Sequence, residues 1–182
     1  AKLAAERFCV TFSRVYGLET VALRYFNVFG PRQDPTSQYA AVVPRFIRAI
    51  ADGERVTIYG DGEQSRDFTF VDNVVRANLL AADAEGVGGE ILNVATGGSV
   101  TVNVLADTIG QLLGKPVERS YAPTRDGDVL ALTLREFRAV VVLVSGLAAV
   151  VHVEAEVVAD SADEVAPVVL ASLAQRLVDR HA

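Results

Sequence analysis

The sequence predicts an α/β fold. Three observations carry the prediction: apolar stripes at helical spacing alternate with short β-branched or aromatic runs, glycines close the helical stretches, and polar turn-rich segments follow the extended ones. In AKLAAERFCVTFSRVYG, Ala4, Phe8 and Phe12 recur every four residues, Val15 extends the stripe, and Gly17 stands where a left-handed C-terminal cap belongs. No Ser, Thr, Asp or Asn precedes Lys2 to cap the first N–H groups, so the chain reads as a fragment that begins inside a helix. ETVALRYF has the content of a buried strand, and NVFGPRQDPTSQ follows as a long loop marked by Gly30, Pro31 and Pro35. Ala40 to Asp52 predicts a helix closed by Gly53. VTIYGDGEQSRDFTFV predicts two short extended stretches around a tight Gly-Asp-Gly turn.

Asp72 is the predicted N-cap of a helix to about Asp83, with Val75, Leu79 and Ala82 on one face. EILNVA is a short strand. Thr101 caps a further helix, whose stripe of Leu105, Ile109, Leu112 and Leu113 ends at Gly114, and PVERSYA is a last strand before TRDGDV. From Leu130 onward there is no Lys, Tyr, Asn or Ile, and Ala and Val dominate. The chain therefore divides into residues 1–129 and an atypical Ala/Val-rich tail, 130–182, in which Ser161 and Glu164 form a capping box ahead of a terminal helix carrying Val165, Val169, Leu173 and Leu177.

With 182 residues, 51% of them hydrophobic, the chain can bury a core. The formal net charge of −6 and the lack of any basic run argue against a nucleic-acid surface, though a few placed arginines suffice for a small anion. The single Cys9 makes no internal disulfide, and with no signal peptide in view a reducing cytoplasm is expected. AVVVLVSGLAAVV, from Ala139 to Val151, falls short of the roughly 18 to 20 residues of a membrane helix.

Chemistry concentrates in three stretches. In RYFNVFGPRQ, a strand ends in a polar Asn and turns over Gly-Pro, which is how an α/β sheet presents groups at its carboxyl edge. Asn27 can donate and accept there, or serve only the loop backbone. In GDGEQSRDF, a glycine turn can offer N–H groups to an anion and Arg66 supplies a planar fork for a phosphate or diphosphate; the plainer alternative is a surface pair of Arg66 with Asp67 or Glu63. In TRDGDV, Arg125 and Asp128 can hold a phosphate and a ribose hydroxyl, or form a simple polar turn. His152 and His181 lack metal-ligand spacing and are assigned no role.

In order along the chain, AKLAAER, LRYFNVFGPRQDPTSQYAAVVPRFI, IYGDGEQSRDFTFVDNVVRANLLA, LNVATGG and RDGDV resemble the extended short-chain dehydrogenase/reductase family, from Ala1 to about Val129. Within it they look most like the NAD-dependent 4-epimerases of UDP-glucose or UDP-N-acetylhexosamines. Sister nucleotide-sugar 4,6-dehydratases and decarboxylases share the scaffold, and a non-catalytic UDP-sugar-binding fragment is the competing reading. The resemblance implies the C-terminal part of an extended Rossmann-type fold, with its sugar-nucleotide-binding subdomain and without the glycine-rich cofactor half.

It further implies residue roles. Lys2 matches the family lysine that binds the nicotinamide ribose and lowers the pKa of a catalytic Tyr one helical turn earlier, a position that would fall before Ala1. Tyr25 and Phe26 would sit by the nicotinamide, and Asn27 by the substrate diphosphate. Val43, Pro44 and Tyr59 would line the base pocket, Arg66 and Arg125 would hold the diphosphate, and Asp128 would accept from the uridine ribose. The implied reaction is hydride removal from sugar carbon 4 to NAD, rotation of the keto sugar, and hydride return to its other face. A homodimer through the first helix is the implied assembly, with no nucleic-acid or membrane partner. After GDV the resemblance stops, which a reading-frame shift or a divergent extension would each explain.

Overall fold

A computed structural model describes residues 1–33, 41–124 and 131–132. Helix α1 (Lys2–Tyr16) has no side-chain N-cap and ends at Gly17, whose φ of 68° is the left-handed conformation that glycine adopts without a Cβ penalty. Strands β1 (Ala22–Tyr25) and β2 (Asn27–Phe29) follow, then α2 (Val42–Asp52), β3 (Val56–Tyr59), β4 (Ser65–Arg66) and β5 (Phe68–Phe70). Next come α3 (Val71–Asp83), β6 (Ile91–Val94), β7 (Val100–Thr101), α4 (Val102–Leu113), β8 (Arg119–Ala122) and β9 (Ala131–Leu132).

Three parallel pairs make the frame: β1 with β6, β2 with β5, and β3 with β8. Parallel pairs need crossover connections, and here α2, α3 and α4 supply the helical cover. A small sheet adds β4 between antiparallel β7 and parallel β9. Strand β9 thus carries the sheet past Val129, the boundary that composition suggested. Residues 133–182, including the predicted terminal helix, lie outside the described residues.

The larger core lies where α2 and α4 meet β3, with Ile50, Ile58, Leu105 and Ile109 each no more than 1% exposed. Burying each such side chain contributes roughly 1.5–3 kcal/mol before entropy. Thr101 caps α4 as expected, accepting from the Val104 N–H at 3.2 Å, and Gly53 and Gly114 close α2 and α4 with positive φ. Gly110 lets the chain entering β8 press on α4: a Cβ there would meet Val117 Cγ2 at 2.2 Å.

Four local expectations are corrected. First, Asn27–Phe29 is a strand rather than the start of a loop. At Phe26 the extended chain leaves β6, its N–H bonding Val94 at 3.3 Å, and at Asn27 it joins β5. Second, the extended segments flanking the Gly-Asp-Gly turn are three, not two, because the chain breaks at Asp67. Third, Asp72 is not the cap of α3. The helix starts at Val71 with Phe70 in the cap position, so Asp72 sits in the first turn, where its charge suits the helix dipole. Fourth, α3 turns Val74 and Ala77 inward and leaves Val75 and Leu79 51% and 62% exposed. Strand β5 runs into α3 without a linker, and that fixes the helix's rotation.

The predicted stripe on α1 also faces outward. Phe8, Phe12 and Val15 are 64%, 44% and 64% exposed, while Val10 is buried and Arg24 reaches Glu6 from β1. Among the described residues no helix is long and apolar enough to cross a membrane.

Candidate functional site

The site forms where the two parallel pairs part. Strand β1 ends at Tyr25 beside Val94, and two residues later Asn27 is in register with Phe68. At this point the Asp67 main-chain carbonyl accepts from the Asn27 backbone N–H at 3.2 Å and from Asn27 Nδ2 at 3.0 Å. One Asn27 amide proton is therefore committed to the backbone. Its Oδ1 makes no hydrogen bond among the described residues, so the group retains an acceptor and a second N–H.

Asp67 itself is 1% exposed. Its Oδ1 accepts from the Thr96 N–H at 3.0 Å, Thr96 Oγ1 at 2.9 Å and Thr69 Oγ1 at 3.3 Å. Its Oδ2 accepts from the Gly97 N–H at 2.8 Å and the Thr96 N–H at 3.1 Å. A carboxylate loses its hydration on burial, and these donors replace it. Gly97 turns its N–H inward at a φ of 79°, a conformation that favours glycine. Burial rules out the surface Arg66–Asp67 pair, and Glu63 accepts instead from Asn103 Nδ2 at 2.6 Å.

Arg66 lies on β4, directly before Asp67, half-buried, with Nη1 donating to the Ser65 carbonyl at 2.8 Å. The nearby Gly-Asp-Gly turn is less open to an anion than its composition suggested. The Gly60 N–H donates to the Ala122 carbonyl at 2.8 Å and the Glu63 N–H to Asp61 Oδ1 at 3.0 Å, so both are already engaged. Asn103 packs on Gly62 from α4 and donates to the Asp61 carbonyl at 3.0 Å, which makes the turn a rigid support.

On the other flank, Tyr25 is 46% exposed and donates through its hydroxyl to Asn78 Oδ1 at 2.9 Å, while Phe26 is half-buried. Lys2 is exposed at the start of α1. Glu6 stands one turn further along the same face and accepts from Arg24 Nε at 2.6 Å and Nη2 at 2.8 Å. That two-pronged contact holds the Glu6 carboxyl below its ordinary range and raises the Arg24 guanidinium. It docks the face of α1 that bears Lys2 on the strand that bears Tyr25.

Tyr59 ends β3, where its carbonyl accepts from Gln64 Nε2 at 2.6 Å. Val43 and Pro44 occupy the first turn of α2. Pro44 is half-buried, but the Val43 side chain belongs to the core at 3% exposure, so only its backbone is left to face a ligand. Arg125 and Asp128 lie outside the described residues. The structure thus gathers Tyr25, Phe26 and Asn27 at one strand end, joins Asn27 to the residue after Arg66, and sets Tyr59 by α2. Asp67 is the residue that sequence reasoning missed. Its signal was a carboxylate set directly before the aromatic and β-branched run FTF. No group of three His, Cys, Asp or Glu suited to a metal occurs among the described residues.

Comparison with known proteins gives the family. A sequence profile for the NAD dependent epimerase/dehydratase family matches residues 1–95. A putative UDP-glucose 4-epimerase from Methanocaldococcus jannaschii is 38% identical over 134 residues, covering 74% of this chain and 43% of that protein. A UDP-N-acetyl-alpha-D-glucosaminuronate decarboxylase from Bacillus cytotoxicus is 37% identical over 144 residues, 72% of this chain and 44% of that protein. Among solved structures, the UDP-glucose 4-epimerase of Thermotoga maritima with UDP-glucose matches at TM-score 0.68 and 44% identity, over 72% of this chain and 42% of that one. The UDP-N-acetylglucosamine 4-epimerase of Methanobrevibacter ruminantium M1, in complex with UDP-N-acetylmuramic acid, matches at TM-score 0.76 and 35% identity, over 98% of this chain and 52% of that one. The chain spans less than half the length of these two curated relatives.

Proposed function

The chain belongs to the NAD-dependent epimerase/dehydratase family, and on that premise we propose that residues 1–129 form the sugar-nucleotide-binding part of a UDP-sugar 4-epimerase. The observation that carries the reading is the corner at Asp67, which brings the Asn27 amide next to the strand bearing Arg66 at the carboxyl edge of parallel strands. Asn27 and Arg66 contact the diphosphate, joined by Arg125, because a doubly charged group suits paired guanidinium and amide donors. Asp128 accepts from the uridine ribose. Tyr59, Pro44 and the Val43 backbone flank the base.

The cofactor side fits NAD. Tyr25 offers a half-exposed ring at the strand end beside Phe26, and Lys2 offers an exposed ammonium on the helix face clamped to that strand. In this reading Lys2 binds the nicotinamide ribose and eases proton movement at the family tyrosine. Bound NAD supplies reversible hydride acceptance at sugar carbon 4. The outward apolar face of α1, with Phe8, Phe12 and Val15, supports pairing with a second copy. The similarity to a decarboxylase supports a second reading, in which the same UDP-sugar contacts serve carboxylate loss. Product analysis with UDP-glucose and UDP-glucuronate, on the chain joined to a cofactor half that carries the family tyrosine, separates the two.

Calorimetric titration of UDP into the purified chain tests the binding role. The proposal expects saturable binding that Arg66→Ala abolishes. A folded, monodisperse sample that binds no UDP, or whose affinity for UDP is unchanged by Arg66→Ala, contradicts it.

A further inference from the structure

We propose that Asp67 is the positioning residue of this site, tying the Asn27 amide to the Thr96–Gly97 turn so that Asn27 meets the ligand in one orientation. The inference rests on the reading of Asn27 as a diphosphate contact. Asp67 touches Asn27 only through its main-chain carbonyl, which receives both the backbone N–H and Nδ2 of the same residue. Two donors converging on one acceptor close a small ring and fix the amide plane. The second Nδ2 proton and Oδ1 make no hydrogen bond among the described residues.

The placement of that carbonyl depends in turn on the Asp67 side chain. Residue 67 lies between β4 and β5, where its carbonyl takes the Asn27 N–H that opens the β2–β5 pairing. Its carboxylate instead grips the turn after β6 through the Thr96 and Gly97 N–H groups and Thr96 Oγ1. A carboxyl side chain at 1% exposure is costly for stability alone, where an apolar residue would serve. What the carboxylate adds is a set of directed bonds. They link the turn after β6, the residue beside Arg66, and the Asn27 amide in one connected network.

A double-mutant cycle on the full chain, read by UDP calorimetry with thermal melting alongside, tests the assignment. Asp67→Asn keeps the side-chain volume but sets an NH2 group against the turn N–H donors. It is expected to weaken UDP binding about tenfold in the natural background. In an Asn27→Ala background the same change is expected to leave UDP affinity unaltered, because the residue being positioned is gone. A merely structural role would lower the melting temperature in both backgrounds and weaken binding by the same factor in each, which would overturn the proposal. Should Asp67→Asn fail to fold, Thr96→Val removes the hydroxyl that donates to Asp67 and accepts from the Gly98 N–H, and is held to the same criterion: a several-fold loss that vanishes beside Asn27→Ala. Absence of UDP binding by the natural chain would overturn the functional reading and this inference together. Binding with an additive cycle would overturn this inference alone.

Discussion

The Asp67 carbonyl accepts from two atoms of Asn27, its backbone N–H at 3.2 Å and its Nδ2 at 3.0 Å. The first bond opens the β2–β5 pairing after β1 has left β6. The second fixes a polar side chain at the point of departure. One acceptor therefore serves both a fold transition and the presentation of a candidate ligand group.

Asn27→Asp replaces the Nδ2 donor with a carboxylate oxygen facing that carbonyl. Two acceptors then confront each other in a half-buried corner, and the loss is expected to be about 1–3 kcal/mol. Urea denaturation at neutral pH measures it, and Asn27→Ala, which removes the repulsion, should cost less.

The Glu6–Arg24 contact predicts an acid limit on the docking of α1. The Glu6 carboxyl titrates lower in the folded chain than in the unfolded one, chiefly through its hydrogen bond from Arg24. Its contribution is thus fully present above about pH 4.3, the ordinary glutamate value, and is lost as pH falls through the lower folded value. Melting temperatures followed from pH 7 to pH 3 should fall less steeply for Glu6→Gln than for the natural chain.

Gly110→Ala is expected to destabilise the chain by about 1–3 kcal/mol despite alanine's better helix propensity. The added methyl would stand 2.2 Å from Val117 Cγ2 and 3.1 Å from the Lys115 carbonyl. Chemical denaturation should show that Val117→Ala, combined with it, recovers part of the loss.

Thr101→Ala removes the hydroxyl that accepts from the Val104 N–H at the start of α4. The expected cost is about 0.5–2 kcal/mol, again by denaturation, and Thr101→Ser should retain most of the stability.

These cases also show what the sequence made legible. Gly17, Gly53, Gly114 and Thr101 mark helix ends through chemistry confined to one turn of backbone, and each stands where a local reading put it. The face of α3 did not, because Val74 and Ala77 form a stripe as apolar as Val75 and Leu79. The choice between them is made by β5 and its partners. The transition at Phe26 depends on Val94 and Asp67, far along the chain, and has no local signature. Arg66 and Asn27 were readable as candidates because their residue types suit a ligand, and Tyr25 only through the family resemblance. Asp67 was not, since its partners Thr96 and Gly97 lie 29 and 30 residues away.

Nuclear magnetic resonance of the isotopically labelled chain during UDP titration tests the central claim most directly, since it locates binding as well as detecting it. Saturable shifts at the Asn27 side-chain amide, at Arg66 and at the Gly97 N–H are the predicted result. Absence of saturable shifts there, or shifts confined to the α4–β8 surface around Lys115 and Arg119, would contradict the account.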